Sequence, residues 1–260
     1  YHSDAIEGNT LTLQETKLVL EEGVTIGGKP LKDHIEARND AEAFDLMIEL
    51  VKSKKKISQE TIQQIHEFVM KGILKNPDQY RTENVAITGA KMRPPSYLKI
   101  VKLMDEYIQN IEKFELQPVK NAAFIHHEFV RIHPFIDGNG RVARLLTNFY
   151  LIKNGYPPIV IQKEYRKKYY KTLNKADQGN LSDFATFIAR TVNESLQYYL
   201  SSFIDEERLE SLSELSKESD YSQEYLSLRA RQGKLDAVKI ENIWYSSKRA
   251  LKDYQKNVKK

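Results

Sequence analysis

The 260-residue sequence contains no cysteine and only one tryptophan. Without cysteine the chain has no disulfide bond, no thiolate zinc site and no cysteine nucleophile. It also has no run of about 20 apolar residues, the length that a membrane-spanning helix needs. The first four residues, Tyr1 to Asp4, have neither the basic nor the apolar segment of a secretory signal peptide. We therefore expect a cytoplasmic protein without a membrane partner.

Positive charge is concentrated at the carboxyl end of the chain. The formal net charge at pH 7 is +4, while residues 222–260 contain ten basic and four acidic side chains and sum to +6. The residues before them therefore sum to −2. This asymmetry predicts that the carboxyl-terminal segment is a separate unit with a partner of its own.

Hydrophobic residues recur at helical spacing in most of the chain, as in residues 32–53 and 141–154, and this predicts an all-α fold. Ser58 is in position to cap one of these helices. Residues 77–95 differ, because they combine β-forming residues with Gly89 and a Pro-Pro pair. We interpret them as a short β-hairpin with its turn at Gly89.

The segment 222–260 is interpreted as a helix, a two-stranded wing and a final helix that starts at Ser247. This order resembles small winged helix-turn-helix modules. The basic charge of the segment suits DNA phosphates. A protein-docking module of the same size fits the sequence equally well, so both kinds of partner stay open.

The densest cluster of chemistry lies in residues 133–144, which read His-Pro-Phe-Ile-Asp-Gly-Asn-Gly-Arg-Val-Ala-Arg. The Gly-Asn-Gly triplet predicts a loop that opens a helix. The free N–H groups of a helix start, together with the helix dipole, favour an anion such as phosphate. Arg141 and Arg144 are three residues apart on the first helical turn, so they suit two phosphates of one polyphosphate.

Two further side chains complete this site. Asp137 supplies the hard carboxylate oxygen that Mg²⁺ prefers beside phosphates. His133 has an ordinary pKa of about 6.5 and suits the role of a base at neutral pH. Each feature alone is common in structural turns and helices, but their combination within twelve residues favours a catalytic phosphate site.

These twelve residues match the signature of Fic-domain proteins, H-P-F-x-D/E-G-N-G-R-x-x-R, at every fixed position. The resemblance extends over most of residues 1–203 and implies a Fic-type helical bundle. It also implies that the chain transfers AMP from ATP to Ser, Thr or Tyr hydroxyls of a target protein. The Doc-like kinases of this family resemble it less, because they carry Lys at the position of Gly140.

The resemblance assigns roles to the residues of the signature. His133 resembles the base that takes the proton of the target hydroxyl, and Asp137 resembles the Mg²⁺ ligand. Arg141 resembles the ligand of the β-phosphate and Arg144 that of the γ-phosphate. The full set of implied ATP contacts is Gly138, Asn139, Gly140, Arg141, Arg144 and Tyr170.

The predicted hairpin resembles the flap of this family, which holds an extended target segment by main-chain hydrogen bonds. The implied flap residues are Val85, Ala86 and Ile87. A purely structural hairpin fits the sequence nearly as well. Tyr170 and Asp177 lie where family members build the adenine and ribose pocket, although many of them carry Asn in place of Asp177.

The segment from Ser3 to Gly8 resembles the inhibitory motif of the family, S/T-x-x-x-E-G/N. Ser3 and Glu7 share a face of one helical turn. The resemblance implies that Glu7 pairs with Arg144 and so removes the ligand of the γ-phosphate, which is typical of the class with an amino-terminal inhibitory helix (class II). In some members the same glutamate positions a water that removes AMP, and the sequence does not decide between the two activities.

The expected organisation is an inhibitory region at 1–30, a catalytic core at 31–204, a linker at 205–221, whose Glu- and Ser-rich residues also fit an exposed helix, and the basic module at 222–260. We expect an autoinhibited enzyme that uses ATP and Mg²⁺, modifies a target protein and itself, and forms a homodimer or larger homo-oligomer. The alternative is a regulator in which the basic module binds DNA while the core senses nucleotide with little catalysis.

Overall fold

The structure is a computed structural model that describes residues 1–87, 92–113, 117–204, 207–240 and 242–258. The chain divides into two compact units, Tyr1–Ala189 and Arg190–Lys260. The division falls earlier than the expected boundary at residue 204. None of the helices in the described ranges has both the length and the apolar character that crossing a membrane requires.

The first unit is built from α-helices, which confirms the predicted fold class. In chain order these helices are α1 (His2–Glu7), α2 (Leu13–Glu22), α3 (Leu31–Lys52), α4 (Gln59–Met70), α5 (Ile100–Glu112), α6 (Pro118–Ile132), α7 (Asn139–Lys153), α8 (Arg166–Ala176) and α9 (Leu181–Leu200). Short 3-10 helices at Tyr97–Lys99 and Lys163–Tyr165 precede α5 and α8. The chain passes from the first unit into the second within α9.

Local sequence signals determine where several helices begin. Thr12 caps α2, because its hydroxyl accepts the N–H of Glu15 while the Glu15 carboxylate accepts the N–H of Thr12. Ser58 caps α4 as predicted, and its hydroxyl accepts the N–H of Thr61 at 3.1 Å. Caps of this kind contribute on the order of 1 kcal/mol each. These boundaries are therefore encoded by neighbouring residues.

The core of the first unit is centred on α6 and α7, with α3 and α4 beside them. Phe129 and Ile132 at the end of α6 are fully buried, as is Phe149 in α7. Phe135, in the loop between these two helices, is fully buried as well. Full burial of a large apolar side chain contributes about 1.5–3 kcal/mol. The loop that carries the predicted chemistry is thus anchored in the core.

The β-hairpin predicted for residues 77–95 has no paired strands in the described part of that segment. Val85, Ala86 and Ile87 have irregular backbone without a strand partner, and so do the residues that follow the gap. The predicted turn at Gly89 lies outside the described residues. Because residues 88–91, the centre of the predicted hairpin, are not among the described residues, the hairpin stays a prediction.

The second unit combines a three-stranded antiparallel sheet with helices. After α9 its elements are β1 (Leu209–Ser211), α10 (Leu212–Lys217), α11 (Gln223–Arg231), β2 (Val238–Ile240), β3 (Ile243–Ser247) and α12 (Lys248–Val258). The strand order is β1-β3-β2, with Leu209 opposite Ser247 and Val238 opposite Tyr245. The predicted helix, two-stranded wing and final helix correspond to α11, β2–β3 and α12.

Residues 205–221 are not a linker, because they contain β1 and α10. Ser211 and Glu214 form a capping box at the start of α10. Leu212 and Leu215 are buried against apolar residues of α11 and α12. The alternative of a helix in this Glu- and Ser-rich segment agrees with α10, whose two leucines are buried and not exposed. DNA binding by this unit stays a prediction.

Candidate active site

His133 follows the last residue of α6 in the left-handed backbone region, with φ 52° and ψ 61°. Its N–H donates to the carbonyl of Phe129 at 2.9 Å. Its Nδ1 lies 3.2 Å from the carbonyl oxygen of Val130. Because a carbonyl oxygen only accepts, Nδ1 carries the hydrogen and Nε2 keeps its lone pair. Burial lowers the pKa of His133, so the ring is neutral at pH 7 and ready to take a proton.

Arg81 fixes the loop around His133 although it is far away in sequence. Its side chain is 3 % exposed, and Nε donates to the carbonyl of His133 at 2.8 Å. Its main-chain N–H donates to the carbonyl of Pro134 at 2.9 Å. The two terminal nitrogens donate to the carbonyls of Glu83 and Pro95, on either side of the flap residues. Sequence reasoning missed this role, because a single arginine carries no local signature.

Asn139 closes the loop onto itself. Its Oδ1 accepts the N–H of Phe135 at 3.0 Å, and its Nδ2 donates to the carbonyl of Phe135 at 2.9 Å. The ring of Phe135 stacks on His66 with the two centroids 3.6 Å apart. Both polar atoms of the Asn139 side chain therefore bind the main chain of the loop and hold its conformation. The phosphate contact expected of this residue is left to its main-chain N–H.

The first turn of α7 presents main-chain N–H groups that have no helical partner. The first helical bond runs from the N–H of Val142 to the carbonyl of Gly138 at 3.1 Å. The N–H groups of residues 139–141, here called the anion nest, lie before it. Gly138 has φ 78°, and a Cβ at this position would lie 2.8 Å from Sδ of Met70. Glycine is required here by both the backbone angle and the close approach.

Arg141 is almost fully buried beside the anion nest, and some of its N–H donors have no acceptor among the described residues. Its side chain is 2 % exposed, and Nη2 lies 3.4 Å from Oε1 of Glu36 in α3. Its Nε and Nη1 are buried without a hydrogen-bond partner among the described residues. An unsatisfied buried donor costs about 1–3 kcal/mol. Such an arginine is typical of a ligand site, and Glu36, which orients it, was missed by sequence reasoning.

The structure brings Glu7, Ser3 and Arg144 together. Nη2 of Arg144 lies 2.8 Å from Oε1 of Glu7. Arg144 also donates from Nε to the hydroxyl of Ser3 at 3.0 Å and from Nη2 to the carbonyl of Ser3 at 3.1 Å. Burial of this guanidinium lowers its pKa, but Glu7, Tyr169 and Asp40 together outweigh burial, so the pKa of Arg144 is raised. Nη1 of Arg144 has no hydrogen-bond partner among the described residues.

Polar contacts outside the ion pair also hold α1 and the residues after it. Nε of Arg166 donates to the carbonyl of Ile6 at 2.7 Å. The N–H and hydroxyl of Thr10 both donate to Oδ2 of Asp33, at 2.7 and 2.6 Å. Nδ2 of Asn9 donates to the main-chain carbonyl of Asp33 at 3.0 Å. Sequence reasoning identified none of these anchors, which join α1 to α3 and α8.

Asp4 places a second carboxylate of α1 in the interior. It is 2 % exposed, and neither carboxylate oxygen has a hydrogen-bond partner among the described residues. Oδ2 lies 3.8 Å from the terminal ammonium of Tyr1. Burial, followed by the nearby charge of Asp40, raises the pKa of Asp4 to about 8, while Arg141 and Arg144 act in the opposite direction. The proton on this carboxyl group is thus part of the packing of α1.

Asp137 lies at the mouth of the loop with its side chain 51 % exposed. Oδ1 accepts the N–H of Gly138 at 2.7 Å, and Oδ2 lies 3.7 Å from Nζ of Lys32. Mg²⁺ usually keeps several waters and takes one or two carboxylates together with substrate phosphates. One accessible carboxylate next to an anion nest fits that pattern.

His126 belongs to the support of the site. Its Nδ1 lies 2.9 Å from the hydroxyl of Thr147, and its Nε2 lies 2.8 Å from the hydroxyl of Tyr169. Burial lowers the pKa of His126 well below its ordinary value, so this ring is neutral. Both ring nitrogens are engaged by hydroxyl groups of α7 and α8, in agreement with a structural role.

The residues expected near the nucleoside lie along α8. Oδ1 of Asp177 is 2.9 Å from Nε2 of His127, so this carboxylate is held by the histidine. The Tyr170 ring is half-buried, and the guanidinium carbon of Arg166 lies 5.3 Å from its centroid. A ring in this position offers a face for stacking.

Known proteins share this arrangement of residues. Residues 56–151 match the model of the Fic/DOC family, and this interval includes α6, the loop and the first residues of α7 through Leu151. The chain belongs to the Fic/DOC family. The predicted resemblance to Fic-domain proteins is therefore confirmed.

Relatives of this Fic chain match a longer part of it. Protein adenylyltransferase Fic of Aedes aegypti is 37 % identical over 205 residues, which is 77 % of this chain and 41 % of that protein. The protein of the same name from Drosophila virilis is 36 % identical over 208 residues, with 77 % and 42 % covered. The Fic chain described here thus spans about two fifths of the length of these curated relatives.

Solved structures confirm the fold. Fic-1 from C. elegans superimposes with a TM-score of 0.70 at 32 % sequence identity, covering 78 % of this chain and 61 % of that chain. A Fic family protein from Desulfovibrio desulfuricans has a TM-score of 0.67 at 22 % identity and covers 95 % of this chain and 84 % of that chain. The second likeness concerns the fold alone.

Proposed function

We propose that this Fic protein transfers AMP from ATP to a hydroxyl group of a target protein, and that Glu7 restrains this activity. The observation that carries the proposal is the grouping of three features between residues 133 and 144. These are a neutral histidine with a free Nε2, an anion nest, and a buried arginine with unused donors. The name adenylyltransferase borne by the curated relatives supports the same reaction.

In the proposed reaction the target hydroxyl oxygen attacks the α-phosphorus of ATP. A bond forms between these two atoms, the bond from the α-phosphorus to the oxygen bridging to the β-phosphorus breaks, and pyrophosphate leaves. The hydroxyl proton passes to Nε2 of His133. The Val130 carbonyl holds the opposite ring nitrogen and so orients the base. The lowered pKa of His133 keeps Nε2 unprotonated at neutral pH.

Fixed donors match the charge of the phosphates. The anion nest and the unused nitrogens of Arg141 are in place before a ligand arrives. Donors that do not need to reorient stabilise developing charge most effectively. A Mg²⁺ ion held by Asp137 supplies further charge neutralisation at the phosphates when it is bound. Arg144 becomes available to the γ-phosphate only after Glu7 releases it.

The target and the nucleoside are assigned to the two sides of the loop. Val85, Ala86 and Ile87 have no strand partner among the described residues, which leaves this stretch suited to an added peptide strand. Because Arg81 ties both flanks of the stretch to the His133 loop, a peptide bound there is close to the base. The half-buried ring of Tyr170 is assigned to adenine.

The restraint follows from the position of α1. Glu7 and Ser3 together occupy Nη2 and Nε of Arg144. A γ-phosphate that approaches this arginine meets a carboxylate of the same charge sign. ATP therefore binds poorly or in an unproductive pose while α1 is docked. A carboxylate held at this place also suits activation of a water that removes AMP from a modified target.

Incorporation of label from α-labelled ATP with Mg²⁺ tests the proposal. We expect Glu7→Gly to label itself and a lysate target at least about tenfold more than wild type, because Arg144 is released. Glu7→Gln, which keeps the size and loses the charge, should give an intermediate rate. His133→Ala in the Glu7→Gly background should abolish labelling. Equal labelling of wild type and Glu7→Gly, or labelling that survives His133→Ala, would contradict the assignment.

The second unit supports a separate docking role. The excess positive charge of residues 222–260 is partly neutralised within this unit, since Lys248 pairs with Glu210 and Glu218 while Arg249 pairs with Glu207. Such pairing reduces the charge available to phosphates, so we favour a protein partner over DNA. Tight, salt-dependent binding of duplex DNA, combined with no AMP transfer by Glu7→Gly, would support the DNA-binding regulator instead.

A further inference from the structure

A cavity of about 360 Å³ lies between α1, α3, α7 and the segment 159–161. Its volume falls in the range of about 300–1,000 Å³ that is usual for small-molecule sites. It adjoins the proposed nucleotide site, because Arg144 belongs to its lining, but His133, residues 138–141 and Tyr170 do not line it. Its apolar walls include Leu20, Phe44, Leu145, Ile159 and Ile161.

The polar feature of this cavity is the carboxylate of Asp40. Its Oδ1 is buried and has no hydrogen-bond partner among the described residues. Asp45 adds a second carboxylate to the lining, and its residue is exposed. Asp4 of α1 is a close electrostatic neighbour of Asp40, and both of its oxygens also lack hydrogen bonds. Because burial raises the pKa of Asp4 to about 8 and this carboxyl group keeps its proton at pH 7, the negative charge between α1 and α3 is that of Asp40.

Arg144 lines the cavity and attracts the negative charge of Asp40, so it offsets part of that charge. Its Nε and Nη2 are used by Ser3 and Glu7, and Asp40 forms no direct ion pair with any described residue. The buried Oδ1 of Asp40 is thus left without a hydrogen-bond partner, and a bound ammonium group would supply one.

We propose that this cavity binds a small organic amine, whose ammonium group pairs with Asp40 and whose hydrocarbon part fills the space beside Leu20, Phe44 and Ile159. The apolar walls select hydrocarbon over a hydrated metal ion, which needs several oxygen ligands. The ring of Phe44 adds an aromatic surface next to the cation. This site goes beyond the proposed function, which assigns nothing to the cavity.

Occupation of the cavity stabilises the docked position of α1. His2 and Ser3 belong to its lining, as do Ala37, Asp40 and Ala41 of α3. A ligand that contacts both helices binds the docked form better than a displaced one, so it shifts the population towards the docked form. The amine thereby holds Glu7 on Arg144. This regulatory consequence rests on the proposed function, whereas binding of the amine does not.

Calorimetric titration with 2-phenylethylamine tests the binding step. The matched ligand is 2-phenylethanol, which has nearly the same shape and no charge. We expect the alcohol to bind wild type at least about tenfold more weakly, or about 1.4 kcal/mol.

Three variants test the same site from the side of the protein. Asp40→Asn should weaken amine binding by a similar factor. Ala41→Leu, which fills part of the cavity, should reduce binding of both ligands. Glu67→Gln, the same charge change at an exposed position of α4, should retain wild-type affinity.

The outcomes separate the two proposals. Equal affinity for amine and alcohol, unchanged affinity in Asp40→Asn, or no saturable binding to wild type would each overturn the amine site. With AMP transfer as the readout, the amine should lower labelling by wild type and leave labelling by Glu7→Gly unchanged. Inhibition of both proteins to the same extent would overturn the regulatory step. Absence of AMP transfer from Glu7→Gly alone would refute the proposed function and leave the binding result intact.

Discussion

The carboxylate of Glu7 occupies the space in which a side chain on Gly140 would begin. A Cβ atom at Gly140 would lie 2.3 Å from Oε1 of Glu7, and the same oxygen lies 2.8 Å from Nη2 of Arg144. Gly140 belongs to the anion nest, so the inhibitory carboxylate rests against the groups that we assign to ATP phosphates. Under the proposed function, inhibition by α1 would therefore be competition between the Glu7 carboxylate and the ATP phosphates for one set of donors.

Gly140→Ala tests this shared site. In the Glu7→Gly background the new methyl group stands where a phosphate meets the anion nest. We expect AMP transfer to fall by about 10²-fold, comparable to the loss of one preorganised donor. In the wild-type background the methyl group displaces Glu7, so the melting temperature should fall. Labelling from α-labelled ATP and thermal unfolding measure the two effects. Full activity of the double variant would show that phosphates do not approach Gly140.

Asp33→Ala tests whether the anchors after α1 contribute to the restraint. The carboxylate of Asp33 accepts two hydrogen bonds from Thr10, at 2.7 and 2.6 Å. Hydrogen bonds to a charged group contribute about 1.5–3 kcal/mol, so their loss should release α1 and raise wild-type AMP transfer about tenfold. Glu7→Gly should not gain further activity from the change. A similar gain in both backgrounds would mean that Asp33 influences catalysis instead of the restraint.

The sequence predicted best what is encoded by neighbouring residues. Helix caps at Ser58 and Ser247 depend on contacts within a few positions, and so does the loop predicted at residues 133–140, although α7 already begins at Asn139. The chemistry of the signature was predictable for the same reason, because base, nest and arginines are contiguous. The pairing of Glu7 with Arg144 joins residues far apart in sequence, and only the family resemblance implied it.

The remaining features depend on contacts across long stretches of chain. Arg81 reaches His133 over 52 residues, and Asn9 reaches Asp33 over 24 residues. No periodicity marks such pairs in a single sequence. Burial of Asp4 was unexpected, since a carboxylate on a short helix is normally solvated. Composition left a linker and an exposed helix open for residues 205–221, because the apolar contacts of α10 come from only two leucines.

Arg81→Ala tests the link between the flap and the base. Without the guanidinium, the carbonyls of His133, Glu83 and Pro95 lose their common donor. A misplacement of reacting groups by about 1 Å can cost 10²-fold in rate, so labelling by Arg81→Ala in the Glu7→Gly background should fall by one to two orders of magnitude. Arg38→Ala, at an exposed arginine, should leave the rate unchanged.

Asp4→Asn tests the buried carboxyl group of α1 through pH. In the native state the pKa of Asp4 is raised from 3.8 to about 8, so between these values the folded protein binds a proton that the unfolded chain has released. The free energy of unfolding of wild type therefore falls as pH rises from about 4 to 8, and falls no further above that range. An asparagine at this position does not titrate, so the free energy of unfolding of the variant does not fall with pH for this reason. We expect the two melting temperatures to agree near pH 4 and the variant to be more stable at pH 8 by at least about 1 kcal/mol, or ~2–4 °C.

The tighter docking of α1 in Asp4→Asn should also lower residual AMP transfer at pH 8. A difference in melting temperature that does not change with pH, or one that Glu67→Gln reproduces, would show that Asp4 is not the titrating group.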